Sequence, residues 1–589
     1  MSRFHFSPRP NRAHEIPWKD WDAQAFDAAQ RESKPILLSI SAVWCHWCHV
    51  MDETTYSDPS IIEAIGSDFV AVRVDNDRRP DVNARYNQGG WPTTAFLTPQ
   101  GDLLAGATYL PPEQMRSALQ EIAAFYRSER TRIEDRARQL RDGSRARPQS
   151  AAGALNEEAI AELRRILADA YDAQYGGFGT SQKFPMLDAL EFLLQEFFVT
   201  EDQELYQMVA RTMLSMSSGG MYDHVEGGFF RYSTTRDWSV PHFEKMTEDH
   251  AGHVRLLSGL LRSGNPEFRE TLLSTLRYIR DVLYDPQSHF FAGSQDADEA
   301  YYALPLEERR PRQAPYVDRT SYTNWTAALA GALTVAGSAL DDDAIVAQGC
   351  ATLDALHERM RDPAGLLHHF IEPGASPAIR GLLTDQSAYF RALLDAHEHA
   401  GQDRFLRRAT EIAAAIERDF AAPEGGFYDR TPSAEQLGAL RVRDRPLVEN
   451  ASVAESLLRL GDLCAEDRYM SAAQRTLALF TESYRLGAIF AAPLGKALRR
   501  LLRPAVRVAL VGTSEETAEL REAAYALPEP YVSVRTIAPL DTEELLRRGF
   551  DNRPAPCAYV CSATACAAPA TGAPGIRASY DQLLSTPGG

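Results

Sequence analysis

The sequence predicts three parts: an α/β sandwich at the N-terminus, a long and mainly helical domain, and a small α/β appendage at the C-terminus. Three observations predict this. Cys45 and Cys48 form a Cys-x-x-Cys pair where the apolar run Ile36–Ile40 gives way to a helical pattern. From Leu155 onward, about a dozen segments with apolar residues at helical spacing come in pairs. Close to the end, the apolar runs Val506–Val511, Tyr531–Ile537 and Cys557–Cys561 read as strands, with a helix over Glu515–Ala526. A chain of 589 residues is too long for one core. The expected boundaries are 1–126 for the sandwich, 127–154 for a helix and linker, 155–503 for the helical domain and 504–589 for the appendage.

In the first part, Asp20–Ser33 reads as an amphipathic helix with Trp21, Ala25, Phe26 and Ala29 on one face. Ile36–Ile40 is a buried strand, and Cys45–Thr55 a helix. Asp58 caps the next helix, with Pro59 at its first position. Phe69–Val74 is a second buried strand. Trp91-Pro92 precedes a third, Thr93–Leu97, and Pro99-Gln100-Gly101-Asp102 makes a hairpin turn. Gln114–Phe125 is a closing helix. A charged helix over Arg127–Arg147 then runs into a linker at Pro148–Gly153.

Two cysteines three residues apart at the start of a helix can form and break a disulfide. The free N–H groups and positive dipole end favour the Cys45 thiolate, which His46, when protonated, favours further. Other readings of Cys45-His46-Trp47-Cys48-His49 stand beside this one. Cys-x-x-Cys-His also matches a c-type haem attachment motif, but that needs export and a haem pocket. Zinc has no second ligand pair at finger-like spacing. The cysteines also suit simple packing. No metal and no cofactor is expected.

Net charge is −19, so nucleic acid and anionic membranes are not expected partners. The basic run Lys496–Arg503 reads as a solvated helix face. Met1–Trp18 lacks an apolar core of signal-peptide length, and no later segment is long enough to span a bilayer. Seven cysteines in so long a chain exclude a secreted disulfide scaffold, and a cytoplasmic location is expected.

Helices are predicted near 155–174, 186–199, 203–218, 246–262, 266–284, 322–338, 341–361, 384–400, 403–420, 449–463, 467–484 and 493–502. Their connections alternate between short and long. The long ones share a texture: Tyr175-Gly-Gly-Phe-Gly179, Glu226-Gly-Gly-Phe-Phe230, His289-Phe-Phe-Ala-Gly293 and Glu424-Gly-Gly-Phe-Tyr428. Gly-Gly before an aromatic suits a tight turn with the ring laid across a pocket, and its recurrence marks an internal repeat. One connection is dense in chemistry, running from Asp223 through Trp238 to His242, Glu244 and Asp249. Aromatics with carboxylates and imidazoles suit a polyhydroxylated ligand. Paired acids also suit glycosidic acid–base work, and a histidine pair suits an epimerase. Asp296, Asp298 and Asp385 are expected at the same mouth. The competing reading of Glu244, Lys245, Asp249 and His242 is an ion-paired network holding the helices. Cys561 and Cys566 read as buried and inert, or alternatively as a resolving pair for Cys45 and Cys48.

The first part resembles thioredoxin. The residues that carry this are Trp44-Cys-x-x-Cys48 after a strand, Asp75 closing the next strand, and Trp91-Pro92-Thr93 before a hairpin. The resemblance implies a cis bond before Pro92, a substrate-positioning role for that proline, Cys45 as attacking thiolate and Cys48 as resolving thiol. It departs at Ser39, where thioredoxin carries a buried aspartate. The helical part resembles the (α/α)6 toroid of sugar epimerases and six-hairpin glycosidases. Across nearly its whole length the chain resembles the spermatogenesis-associated protein 20-like family. That match rests on Cys45–Met51, Asp75–Asp81, Gly89-Gly-Trp-Pro92, Gly219–Asp223, Pro241–Met246, Gln295–Asp298 and Tyr559–Cys561. It departs after Asp298, where Tyr301–Pro315 is a charged, proline-containing segment. The resemblance implies a thiol–disulfide redox module fused to a carbohydrate-binding toroid, with a protein thiol and a carbohydrate-like molecule as expected partners. The alternative is a sugar epimerase or glycosidase-like enzyme whose head serves as a docking or lid domain.

Overall fold

The computed structural model describes residues 4–144, 154–537 and 555–585, except 433, 504, 514, 528, 530, 563 and 564. The linker expected at Pro148–Gly153 lies outside the described residues.

In the head, α1 (Ala23–Glu32) is capped by Asp22, whose carboxylate accepts the Ala25 N–H. Strand β1 (Ile36–Ser41) is buried at every position. It is followed by α2 (His46–Glu53), and then by α3 (Pro59–Asp68), capped by Asp58. After β2 (Val70–Asp75) comes α4 (Pro80–Tyr86), a short helix with no apolar periodicity to announce it. Strands β3 (Thr93–Leu97) and β4 (Leu103–Ala107) form the hairpin. The sheet order is β2-β1-β3-β4, with β1 parallel to β2 and antiparallel to β3. Ile36, Leu38 and Ile40 face one core and Leu37 the other, as a pleat of period two requires. Instead of two helices, one continuous α5 (Pro112–Ser144) leaves the head, since neither Gly nor Pro interrupts residues 113–142.

The next helices are α6 (Glu157–Ala170), α7 (Leu187–Thr200), α8 (Gln203–Ser218), α9 (Thr247–Arg262) and α10 (Arg269–Tyr278). Two short helices follow, α11 (Glu299–Tyr302) and α12 (Leu306–Arg309). Then come α13 (Thr323–Leu340), α14 (Asp343–Arg359), α15 (Leu383–Ala400), α16 (Asp403–Phe420), α17 (Leu447–Cys464), α18 (Asp467–Ala478), α19 (Tyr484–Gly487) and α20 (Ala492–Leu502). Helices α7, α9, α13, α15, α17 and α20 touch in that order, and α20 touches α7 again, closing a ring. Helices α8, α10, α14, α16, α18 and α6 pack outside them, one each. This is an (α/α)6 toroid, in which the first helix pairs with the last.

Sequence decides which helices lie inside. Along α13, Ala327, Leu329, Ala330, Ala332, Leu333 and Ala336 are all buried, so it is enclosed on every side, whereas α16 buries one stripe. The basic face of α20 is a correction to the sequence reading: it is an inner helix. Lys496 and Arg499 are buried against Glu191 and Glu196, and Arg500 against Asp462. A buried cation is tolerated only when paired in this way.

Every long connection runs from an outer helix to an inner one, so all of them gather at one end of the ring. The Gly-Gly pairs at 176–177, 227–228 and 425–426 have positive φ, as the sequence texture requires. The rings that follow do not cross a pocket, however. Phe178, Phe229 and Phe427 turn into the core, and their backbones bridge back to Tyr171, Tyr222 and Ala421. An aromatic ring at the closed base of a hairpin gains more from burial than from a wet rim.

In the appendage, Val506–Val511 pairs in parallel with Val532–Ile537 and antiparallel with Cys557–Cys561. The Ala/Pro/Gly-rich stretch near the end, expected as low-complexity, carries a helix at Ala573–Ser585 that packs Ile576, Tyr580 and Leu583 on this sheet. Cys561 and Cys566 are joined as a disulfide, and Cys566 is exposed, so the pair is not the buried inert one expected. No helix among the described residues is long and apolar enough to cross a membrane.

The head sits on the end of the ring where the long connections gather. Leu440, from the connection before α17, completes the core beneath β1 and α1, and the Tyr86 hydroxyl accepts the Ala439 N–H at 2.7 Å. Arg78 pairs with Glu372 at 2.6 Å, and Arg85 with Asp429 at 2.6 Å. His369, fully buried, donates from Nδ1 to Asp385 at 2.8 Å and from Nε2 to the head's Asp77 carbonyl at 2.7 Å. Burial alone lowers the imidazole's pKa, but Asp385 and the Asp77 carbonyl outweigh it and raise it above the ordinary value. A raised histidine pKa stabilises the docked state below about pH 6.5, and that contribution is lost as pH climbs through the folded-state value. Burial raises Asp385 as well, which acts in the same direction. Hydrogen exchange of residues 75–79 is therefore expected to speed up between pH 6 and pH 9, beyond the intrinsic chemical rate. Equal protection at both ends would remove His369 from the docking interaction.

Candidate functional site

A cavity of about 420 Å³ lies where the head closes the toroid. Its floor is built from inner helices. On α9, Glu248, Gly252 and Arg255 fall at i, i+4 and i+7 and share the face turned to the cavity, with Asp249 beside them. Asp188 and Glu191, at i and i+3, project from α7. Gly252 lets α7 approach, since a Cβ there would fall 2.6 Å from the Leu187 side chain. Trp325 comes from the first turn of α13 and Arg391 from α15. The roof is Trp44, Asn76, Asp77 and Trp91 of the head. Arg231, from the connection before α9, places its guanidinium 4.2 Å from the Trp44 ring centre and 5.3 Å from that of Trp91.

Charge in this space is uneven. Arg391 is ion-paired with Glu191, and Arg255 with Asp395. Asp249 is pushed up to about 7, chiefly by burial and then by Glu248, with Glu244 adding and Arg231 opposing. Burial also raises Glu248, again against Arg231. Asp249 thus holds a proton near neutrality, beside the exposed carboxylate of Glu248 in the same first turn of the helix. In this state one donates a proton and the other accepts one. The Trp44 indole N–H donates to Asp77 at 2.7 Å, fixing the ring that forms the roof.

Cys45 and Cys48 are joined as a disulfide immediately beside this roof. Cys45 caps α2, and its Sγ accepts the Cys48 N–H at 3.2 Å. The Trp91-Pro92 bond is cis, as the thioredoxin resemblance implies. The pair is enclosed: Cys45 is 4% exposed and Cys48 3%, packed with Met246, Tyr322, Trp325 and Phe370 of the toroid. Nothing local in Cys-His-Trp-Cys announces that cover, which comes from Met246, Tyr322, Trp325 and Phe370, far along the chain.

The other expected residues divide into two groups. His242 and Glu244 meet, with Nδ1 2.7 Å from both carboxylate oxygens, and Tyr232 stacks on the imidazole. The His46 ring of the head lies 6.2 Å from that of His242. Asp296, pushed up to about 7 mainly by burial with Glu244 adding, faces His49 at 4.0 Å. These residues line the head–toroid junction around the disulfide. The remainder are structural. Asp223 is buried between Lys245 and Arg309, each at 2.8 Å. Trp238 is wholly in the core and donates to the Tyr175 carbonyl. Asp298 caps α11 through the Tyr301 N–H. Asp385 holds His369. Arg309 comes from the segment after Asp298 where the family resemblance fails, so that segment completes a buried ion-pair cluster.

Sequence reasoning passed over Glu248, Arg231, Asp188, Trp325 and, as cavity residues, Trp44 and Trp91. Glu248 and Arg231 stood within the chemistry-dense connection. The available signal was the helical phase of Glu248 with Gly252 and Arg255, which separates a lining face from a packed one.

Residues 9–143 match the Thioredox_DsbH family, described as a protein of unknown function, DUF255. Human spermatogenesis-associated protein 20 is 26% identical, over 94% of this chain and 88% of the human protein. An uncharacterized Caenorhabditis elegans protein, B0495.5, is 23% identical over 94% of this chain and 93% of its own length. Among solved structures, a sugar epimerase from a ruminal bacterium aligns with 55% of this chain and 86% of its own, at 17% identity and a TM-score of 0.44. The GH76 α-mannanase BT2949 of Bacteroides thetaiotaomicron aligns with 59% and 97%, at 12% identity and a TM-score of 0.44. With a thioredoxin-like head and an (α/α)6 toroid, the chain is similar over nearly its whole length to spermatogenesis-associated protein 20.

Proposed function

We propose that the cavity between head and toroid is the site of a carbohydrate-like small molecule, and that Glu248 and Asp249 carry acid–base chemistry on it. The thioredoxin-like head acts as the roof of this site. The observation that carries the reading is the meeting of two adjacent carboxylates, both raised above the ordinary carboxylate value, with three tryptophans from two domains around one cavity. Tryptophan faces stack on the apolar faces of sugar rings, and carboxylates accept from hydroxyls. A cavity of about 420 Å³ has room for a monosaccharide or a small disaccharide. The named epimerase and mannanase act on sugars, which is consistent with this reading but does not carry it.

The enclosed disulfide supports a redox role confined to this junction rather than one toward large protein substrates. A folded substrate has no path to a sulfur packed under Met246, Tyr322 and Trp325. The reduced protein is accordingly expected to leave insulin disulfides intact. Intrinsic fluorescence tests the main reading, because three of the chain's seven tryptophans line the cavity. Titration with a panel of aldoses is expected to give a saturable change, and Trp325→Ala to weaken that binding by about tenfold or more. A panel that produces no saturable change in the folded protein would defeat the proposal.

A further inference from the structure

We propose that the sugar bound in this cavity carries an anionic group, a carboxylate or a phosphate, and that Arg231 is its anchor. The inference rests on the preceding reading of the cavity and adds the class of ligand.

Three arginines border the space. Arg255 and Arg391 are each committed to a carboxylate, Asp395 and Glu191 respectively. Arg231 is not: among the described residues no hydrogen bond or ion pair joins its guanidinium to a protein acceptor. What holds it is cation–π contact, 4.2 Å from the Trp44 ring centre, 5.3 Å from that of Trp91 and 5.7 Å from that of Tyr232. Such contact uses the charge of the guanidinium and leaves its five N–H donors without a protein acceptor among the described residues. An arginine that lines the cavity with its donors unpaired matches a carboxylate or phosphate, which accepts two parallel N–H bonds from a guanidinium.

The carboxylates nearby do not cancel this charge. Glu248 and Asp249 feel Arg231 but make no ion pair with it, and both are raised above the ordinary carboxylate value. Asp188 projects from α7, on the floor of the cavity. A ligand entering with its anionic end under Trp44 and Trp91 therefore meets Arg231, and its hydroxyls meet the acidic floor. The competing account gives Arg231 only the task of joining toroid to head through the two tryptophans.

Fluorescence titration of the full chain separates the two accounts, using glucose, glucuronate, galactose, galacturonate and glucose 6-phosphate. At least one anionic sugar is expected to bind about tenfold or more tightly than its neutral parent, as a charge-assisted bidentate contact allows. The affinity of that sugar is expected to fall with added salt, while that of the neutral parent stays level. Arg231→Gln removes the preference, and Arg231→Lys, which keeps the charge, retains part of it. Uronates against the phosphate ester distinguish the two anions. Neutral sugars binding as tightly as every anionic one, or a preference that survives Arg231→Gln, would overturn the inference and leave the cavity reading intact. If no sugar of either kind binds, both fall. If Arg231→Gln does not fold, the salt dependence of the wild-type protein and the Arg231→Lys titration decide alone.

Discussion

Asp223→Ala is expected to lower the stability of the toroid by about 3–5 kcal/mol, the usual cost of removing one partner from a buried ion pair. Lys245 is 0% exposed and Arg309 2% exposed, and both turn toward this carboxylate. Burial already pushes Lys245 down to about 8, with Asp223 the main force resisting it. Without the carboxylate, Lys245 keeps the Gly227 carbonyl at 2.8 Å and the ring of Tyr278, and Arg309 keeps Glu226 at 2.9 Å. The Gly227 carbonyl and the Tyr278 ring do not replace a full negative charge beside Lys245, and Glu226, which is 32% exposed, reaches only Arg309. Urea unfolding measures the loss, and Lys245→Met in the same chain is expected to restore part of it, because the stranded cation then disappears. A midpoint for Asp223→Ala equal to that of the wild-type protein would show that this cluster does not hold the rim. Since Asp223 lies outside the cavity, ligand affinity of the folded variant is expected to be unchanged.

Asp249→Asn has the largest expected effect on chemistry. It keeps the size and polarity of the side chain but removes the proton that the Glu248–Asp249 pair exchanges. Turnover of the cavity's substrate is expected to drop about 10²–10⁴-fold, the range for loss of a general acid or base. The wild-type pH profile is expected to break near 7, where burial and Glu248 place the titration of Asp249, and the variant to lose that limb. Glu248, Glu244 and Arg231 face the group, so the break belongs to the coupled set rather than to one residue. Incorporation of solvent deuterium into a sugar and release of a cleaved product are the two readouts, covering proton transfer at carbon and glycosidic hydrolysis. Full activity in Asp249→Asn would move the chemistry elsewhere, with the His242–Glu244 pair the next place to test.

Local signals made much of this molecule legible. Asp58 before Pro59, the apolar strand before Cys45, and the turn at Pro99–Asp102 are contacts between near neighbours, and the structure realises all three. The dozen helices followed from apolar spacing because each buries its own stripe. Which six lie inside was not legible from spacing alone. Helix α20 carries Lys496, Arg499 and Arg500 on what reads as a wet face, and only Glu191, Glu196 and Asp462 from other helices make that face buried. The site failed in the same way. Asp223 and Trp238 sit in the chemistry-rich connection and serve packing, whereas Arg231 and Glu248 in that connection border the cavity. Their difference is one of direction, and direction is set by helix phase and by a head contributed from the other end of the chain. The burial of Cys45 has the same origin.

A crystal structure of the protein soaked in turn with glucuronate, glucose 6-phosphate and glucose tests the central claim most directly. The account predicts ligand density under Trp44 and Trp91, in contact with Trp325, Glu248 and Asp249, with the head still seated on the toroid. A ligand bound elsewhere while this cavity stays empty, or a head lifted away with Cys45 open to solvent, would contradict it.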